Sequence, residues 1–133
     1  MSHPFELEFL DHVAIRVKDM EASAEWYERV LGMTRWQPPE WKPFPIFMLS
    51  GQMGVALFPL READPARRER PDRERIDHFA FRVSREGFDQ ARAHYDALGL
   101  DYRVQDHTWF LSIYVFDPDG HEVELTTPLR EIP

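Results

Sequence analysis

The chain has 133 residues, enough for one domain with a real core, and its 43% hydrophobic and 30% charged residues are those of a globular protein. A net charge of −8 speaks against nucleic acid and against an anionic membrane surface as partners. With no cysteine there is no disulfide, no thiolate ligand and no cysteine nucleophile. No apolar run is long enough to span a bilayer, and the start Met-Ser-His-Pro-Phe-Glu lacks the basic-then-apolar pattern of a secretory signal, so a cytoplasmic protein is expected.

Residues 1–7 read as a short tail and residues 8–17 as a first strand. Within it, Asp11 to Val17 alternates strictly: Val13, Ile15 and Val17 face one way, and His12, Ala14 and Arg16 the other. Asp19 is the expected N-cap of a helix running to about Leu31. Ala24, Tyr27, Val30 and Leu31 form its apolar stripe, and Gly32 closes it. A strand near 33–37 follows. The segment 36–45, Trp-Gln-Pro-Pro-Glu-Trp-Lys-Pro-Phe-Pro, reads either as a rigid connection or as an aromatic pocket wall. Residues 44–50 and 54–60 are expected to form a hairpin around Gly51-Gln52-Met53-Gly54.

In residues 61–75, eleven of fifteen residues are charged, with both signs mixed, which predicts a solvated linker. The first strand then returns. Asp77 to Val83 matches Asp11 to Val17 at five of seven positions, 66 residues later. Phe79, Phe81 and Val83 face one way; His78, Ala80 and Arg82 face the other. Ser84 is the expected N-cap of a second helix to Leu98, with a stripe of Phe88, Ala91, Tyr95 and Leu98. Strands are predicted at 101–106, 109–116 and 121–127, with Asp117-Pro118-Asp119-Gly120 as the last turn.

The chain is therefore read as a single α+β domain, 1–133, of two βαβββ modules (about 8–60 and 76–127). Their strands are expected to form an eight-stranded curved sheet enclosing a cleft, with the helices outside. Each module puts a histidine on the face away from its helix. On the last strand Val123 and Leu125 belong to the helix side, leaving Glu122, Glu124 and Thr126 for the other; Ser112 and Tyr114 join them from the strand before. Alternation thus collects His12, His78 and Glu124 or Glu122, a set suited to iron(II) or manganese with positions open for substrate.

The doubled module, the Asp-His strand starts and the ending Asp-Pro-Asp-Gly-His-x-x-Glu resemble the vicinal oxygen chelate superfamily. That superfamily includes glyoxalase I, bleomycin resistance proteins, fosfomycin thiol transferases and extradiol dioxygenases. The resemblance implies His12, His78 and Glu124, rather than Glu122, as ligands of a divalent ion, iron(II) or manganese first and zinc or nickel as alternatives. A glyoxalase I would offer a further glutamate on the strand 54–60, where Leu57 is read as holding the position. The run His107, Ile113-Tyr114, Asp117-Pro118, Gly120, Glu124 resembles the extradiol dioxygenase signature. It implies Tyr114 as a hydrogen-bond donor to substrate oxygen and His107 as an acid–base partner.

Fosfomycin-type transferases share the three ligands, and Ser112 and Tyr114 fit their serine–tyrosine pair. Ala14 stands where they have a threonine, and Asp106 to Phe110 where they have a cation loop, so they rank below the dioxygenases here. The expected function is a metal-dependent enzyme acting on a small substrate with adjacent oxygens, most like an extradiol dioxygenase. A glyoxalase- or epimerase-like lyase or isomerase, a thiol transferase, or a metal-free resistance protein are the alternatives. The resemblance also implies a homodimer.

Overall fold

The computed structural model describes residues 3–4, 8–60 and 76–131; the charged segment 61–75 and most of the N-terminal tail lie outside these. The chain divides into two compact units, Met1–Asp64 and Pro65–Pro133.

In the first unit, β1 (His12–Val17) leads into α1 (Met20–Leu31) and β2 (Thr34–Trp36). A 3₁₀ turn (Pro39–Trp41), β3 (Ile46–Ser50) and β4 (Met53–Pro59) follow. The sheet order is β1-β4-β3-β2, with β1 parallel to β4 and the other pairs antiparallel. The Asp19 side chain accepts from the Ala22 N–H at 3.0 Å, which satisfies one orphan donor at the start of α1. α1 packs on β3 and β4, where Tyr27 and Val30 meet a face containing Ile46, Met48, Val55 and Leu57. Ser23 and Trp26 are buried as well, so this helix hides a broader face than its expected stripe.

The second unit repeats the arrangement. β5 (His78–Arg82), α2 (Arg85–Ala97), β6 (Arg103–Asp106), β7 (Phe110–Phe116) and β8 (Glu122–Pro128) form a sheet of order β5-β8-β7-β6. Ser84 caps α2 through a 3.0 Å bond from the Gly87 N–H. Phe88 and Tyr95 of α2 are buried, as are Ile113, Val115, Val123 and Leu125 of the sheet. The protein is thus α+β, two βαβββ modules each with its own four-stranded mixed sheet. Among the described residues no helix is long and apolar enough to cross a membrane.

Three expectations are corrected. The first strand starts at His12 rather than residue 8, because pairing with β4 begins at Gly54 and no described residue upstream joins the ladder. The β3–β4 turn is Gly51-Gln52 alone. Ser50 pairs with Met53, and Gly51, at φ 59°, takes the left-handed first position that a two-residue hairpin needs. Finally, Leu57 pairs with Ile15 on the helix-covered face and is fully buried, so it cannot hold the position of a cleft ligand. The counterpart of Glu124 in the first sheet is Ala56: Ala14 pairs with Ala56 as Ala80 pairs with Glu124. β4 carries no carboxylate at all, so the first unit still lacks that extra ligand.

Candidate metal centre and proton pair

β5 and β8 run parallel in a register that sets His78 opposite Glu122 and Ala80 opposite Glu124. β7 continues the face, with Tyr114 opposite Glu124 and Ser112 opposite Thr126. Because side chains alternate, His78, Glu122, Glu124, Thr126, Ser112 and Tyr114 all project from the side that α2 does not cover.

Glu124 is the anchor of this face. It is 4% exposed, and a buried carboxylate must be paired or hydrogen-bonded. Both oxygens are engaged: Oε2 accepts from the Ser112 hydroxyl at 2.6 Å, and Oε1 lies 3.0 Å from His78 Nε2. The Ser112 oxygen is also 3.2 Å from the Thr126 hydroxyl, which continues the polar row along the sheet. Behind the ring, His78 Nδ1 lies 2.8 Å from Asp77 Oδ2. The Asp77 hydrogen bond raises the His78 pKa above its ordinary value, with help from the charge of Glu124, against a smaller opposing effect of burial.

The donor set fits a divalent ion. With Asp77 accepting from Nδ1, a neutral His78 would turn its Nε2 lone pair outward, the carboxylate–histidine arrangement of many metal sites. Two neighbouring ligand atoms on an ion with bonds of about 2.1 Å lie roughly 3 Å apart, which is the spacing of His78 Nε2 and Glu124 Oε1. Asp77, His78 and Glu122 also bring ligand atoms within 4.8 Å of one another. Of the two glutamates, Glu124 would be the better ligand, because Glu122 is 3.5 Å from the Arg103 guanidinium, which competes for its charge.

His12 belongs to the first unit and is built in the same way. Its Nδ1 lies 2.7 Å from Asp11 Oδ2, and it pairs with Gly54 at the register position that His78 shares with Glu122. Its ring lies 5.0 Å from that of Phe47, which Trp36 and Trp41 contact in turn. Trp36 and Trp41 of the proline-rich segment therefore pack on Phe47, the ring beside His12. Gly54 allows this register, since a Cβ there would come within 2.8 Å of the Met48 carbonyl oxygen.

Tyr114 and His107 are brought together. The phenol oxygen is 2.7 Å from His107 Nε2, and His107 is half-buried beside Phe110. Burial raises the Tyr114 pKa and the charge of Glu124 raises it further, so the phenol keeps its proton at neutral pH and donates it. The Arg103 guanidinium covers the ring at 4.2 Å from its centroid. His107 is aimed by a tight loop: Thr108 has φ 76°, and its N–H bonds the Asp106 carboxylate at 2.7 Å. A β-branched residue in that conformation is strained, and strain of this kind gathers at functional loops. Asp11, Asp77, Arg103 and Thr126 had no assigned role in the sequence. The repeated Asp-His pair was the visible signal for the first two.

A sequence model of the glyoxalase/bleomycin resistance protein/dioxygenase superfamily matches residues 9–125. The glutathione transferase FosA of Serratia marcescens is 29% identical over 123 residues, covering 90% of this chain and 80% of that protein. The fosfomycin resistance protein FosX of Mesorhizobium loti superposes with a TM-score of 0.65 at 27% identity, covering 92% of this chain and 93% of its own. Lactoylglutathione lyase of Agrobacterium tumefaciens shares the fold, with a TM-score of 0.70 at 20% identity over 91% of this chain and 94% of that one. The chain belongs to the glyoxalase/bleomycin resistance protein/dioxygenase superfamily.

Proposed function

We propose that this protein is a divalent-metal-dependent enzyme that adds a nucleophile, a thiol or water, to a small oxygen-bearing substrate. The observation that carries it is the Glu124 carboxylate, buried and held between Ser112 and His78 with Asp77 behind the imidazole. His78 and Glu124 would hold the ion, and His12, which carries the same Asp–His pair, is the third ligand of this reading. Iron(II) or manganese suits the donors best, with zinc and nickel as alternatives. When bound, the ion supplies Lewis acidity toward substrate oxygen.

The chain's own groups do the rest. Ser112 fixes the rotamer of Glu124. Tyr114 donates its phenolic proton to a substrate oxygen that gains negative charge, and the proton that the thiol or water sheds returns to the phenol through His107 Nε2, 2.7 Å away. The Ser112–Tyr114 pair and the likeness to a glutathione transferase favour addition. The preference for extradiol ring cleavage drawn from the sequence finds no support in the relatives named above. It survives as a second reading on one observation, the close His107–Tyr114 pair that its signature requires.

The test is metal content followed by a substrate panel. Protein purified without chelator should carry near-stoichiometric metal, and His12→Ala/Glu124→Ala protein none. The loaded protein should then consume fosfomycin with glutathione or with water. Oxygen uptake with catechols, and no addition, would favour the second reading. A wild-type protein that takes up none of the four metals would sink both.

A further inference from the structure

Arg16 and Arg82 occupy the same place in the two modules. Arg16 pairs in register with Phe58, and Arg82 with Thr126. In the first unit the guanidinium is committed: Nη1 donates to the Pro59 carbonyl at 3.0 Å, and the group lies 4.9 Å over the Phe58 ring. In the second unit a threonine replaces the ring. Arg82 is exposed there and has no hydrogen-bond, ion-pair or ring partner among the described residues.

Arg82 lines a groove of about 480 Å³ at the carboxyl ends of β5 and β8, with Ser84, Arg85, Thr127 and Pro128. Arg85 reaches Asp89 at 3.8 Å, an exposed contact weak enough to exchange for a ligand anion. Glu86 and Asp89 are the acids near this rim on α2, and both are exposed. Two arginines on one groove, one of them unpaired, stand out in a chain of net charge −8.

We propose that Arg82, with Arg85 beside it, binds an oxyanion (carboxylate, phosphate or phosphonate) carried by the substrate. As a substrate assignment, this rests on reading the His78–Glu124 face as the active site. Arg82 projects from that face, one alternation beyond Ala80, which lies opposite Glu124. Two residues of strand set the Arg82 backbone about 7 Å past the Ala80–Glu124 pair. The Thr126 hydroxyl, bonded to Ser112, lies on the same row. A planar guanidinium grips two oxygens at once, which a lysine cannot do. The substrate class is then a small anion whose reacting oxygens sit at one end and whose charge sits at the other.

The experiment titrates inorganic phosphate and acetate into wild-type, Arg82→Gln and Arg82→Lys proteins, followed by amide NMR, with metal uptake measured in parallel. Phosphate should shift the amides of residues 82–85, and the affinity should fall at least tenfold in Arg82→Gln and less in Arg82→Lys. Metal uptake should be the same in all three. Equal phosphate affinity in wild type and Arg82→Gln, or no binding to either, would overturn the proposal. Phosphate binding that depends on Arg82 in a protein that takes up no metal would keep the anion site and remove the enzyme reading.

Discussion

The Ser112 hydroxyl donates a 2.6 Å hydrogen bond to Oε2 of Glu124, and both residues are almost fully buried. The bond does two jobs: it satisfies a carboxylate shielded from water, and it leaves Oε1 pointing at His78. Ser112→Ala should therefore lower metal affinity about 10–100-fold, as loss of a ligand's supporting partner does. It should also destabilise the metal-free protein by about 1–3 kcal/mol, because a buried acceptor loses its donor. Chelator competition and urea unfolding measure the two. Unchanged metal affinity would show that Ser112 does not orient the ligand.

Much of this face was legible in the sequence because strands have a period of two. His78, Glu124, Ser112 and Tyr114 fall on one side by counting alone, and the β5–β8 and β7–β8 registers join them. What counting left open was depth and aim. Glu122 and Glu124 share a face, but only Glu124 lies in the buried middle of the sheet beside Ser112, while Glu122 meets Arg103. Leu57 was misplaced because a single-residue slip moves a side chain to the opposite face. The His107–Tyr114 contact depends on the Thr108 backbone, whose φ of 76° no local propensity favours. Similarly, the different fates of Arg16 and Arg82 come from cross-strand neighbours, Phe58 and Thr126, which are distant in sequence.

Tyr114→Phe and His107→Ala should each lower turnover by about 10²-fold or more while metal content stays at the wild-type level. The two groups act through one 2.7 Å bond, so the double variant should lose little beyond the worse single one. Steady-state kinetics on whichever substrate the panel identifies, with metal analysis of each variant, tests this. Fully multiplicative losses would mean that the residues work independently.

Tyr95 is buried on α2, and its hydroxyl finds no hydrogen-bond partner among the described residues. Burial pushes its pKa far above the ordinary phenol value. Tyr95→Phe removes the stranded group and keeps the ring against Tyr102, 6.0 Å away. The variant should gain about 1 kcal/mol in urea unfolding, the lower end of the cost of an unsatisfied buried polar atom. A loss of stability would show that the hydroxyl is satisfied in solution.

At the proposed site, proton and metal would compete for one place between His78 and Glu124. In the metal-free protein a protonated His78 donates to Asp77 from Nδ1 and faces Glu124 Oε1 with Nε2 at 3.0 Å. The folded-state pKa is raised, chiefly by the Asp77 hydrogen bond. The stabilisation is therefore full below the unfolded value of about 6.5 and is lost as pH rises through the folded one. Metal binding has the opposite slope, since Nε2 must shed its proton first. Apparent metal affinity should climb tenfold per pH unit below the folded pKa and level off above it. Asp77→Asn should move that plateau to lower pH, because the raising hydrogen bond is weakened. It should also lower the plateau itself about 10–100-fold, because the ring loses its anionic support. Isothermal titration with manganese at a series of pH values reads both effects, and an unshifted profile in Asp77→Asn would rule out Asp77 as the group that sets the His78 proton.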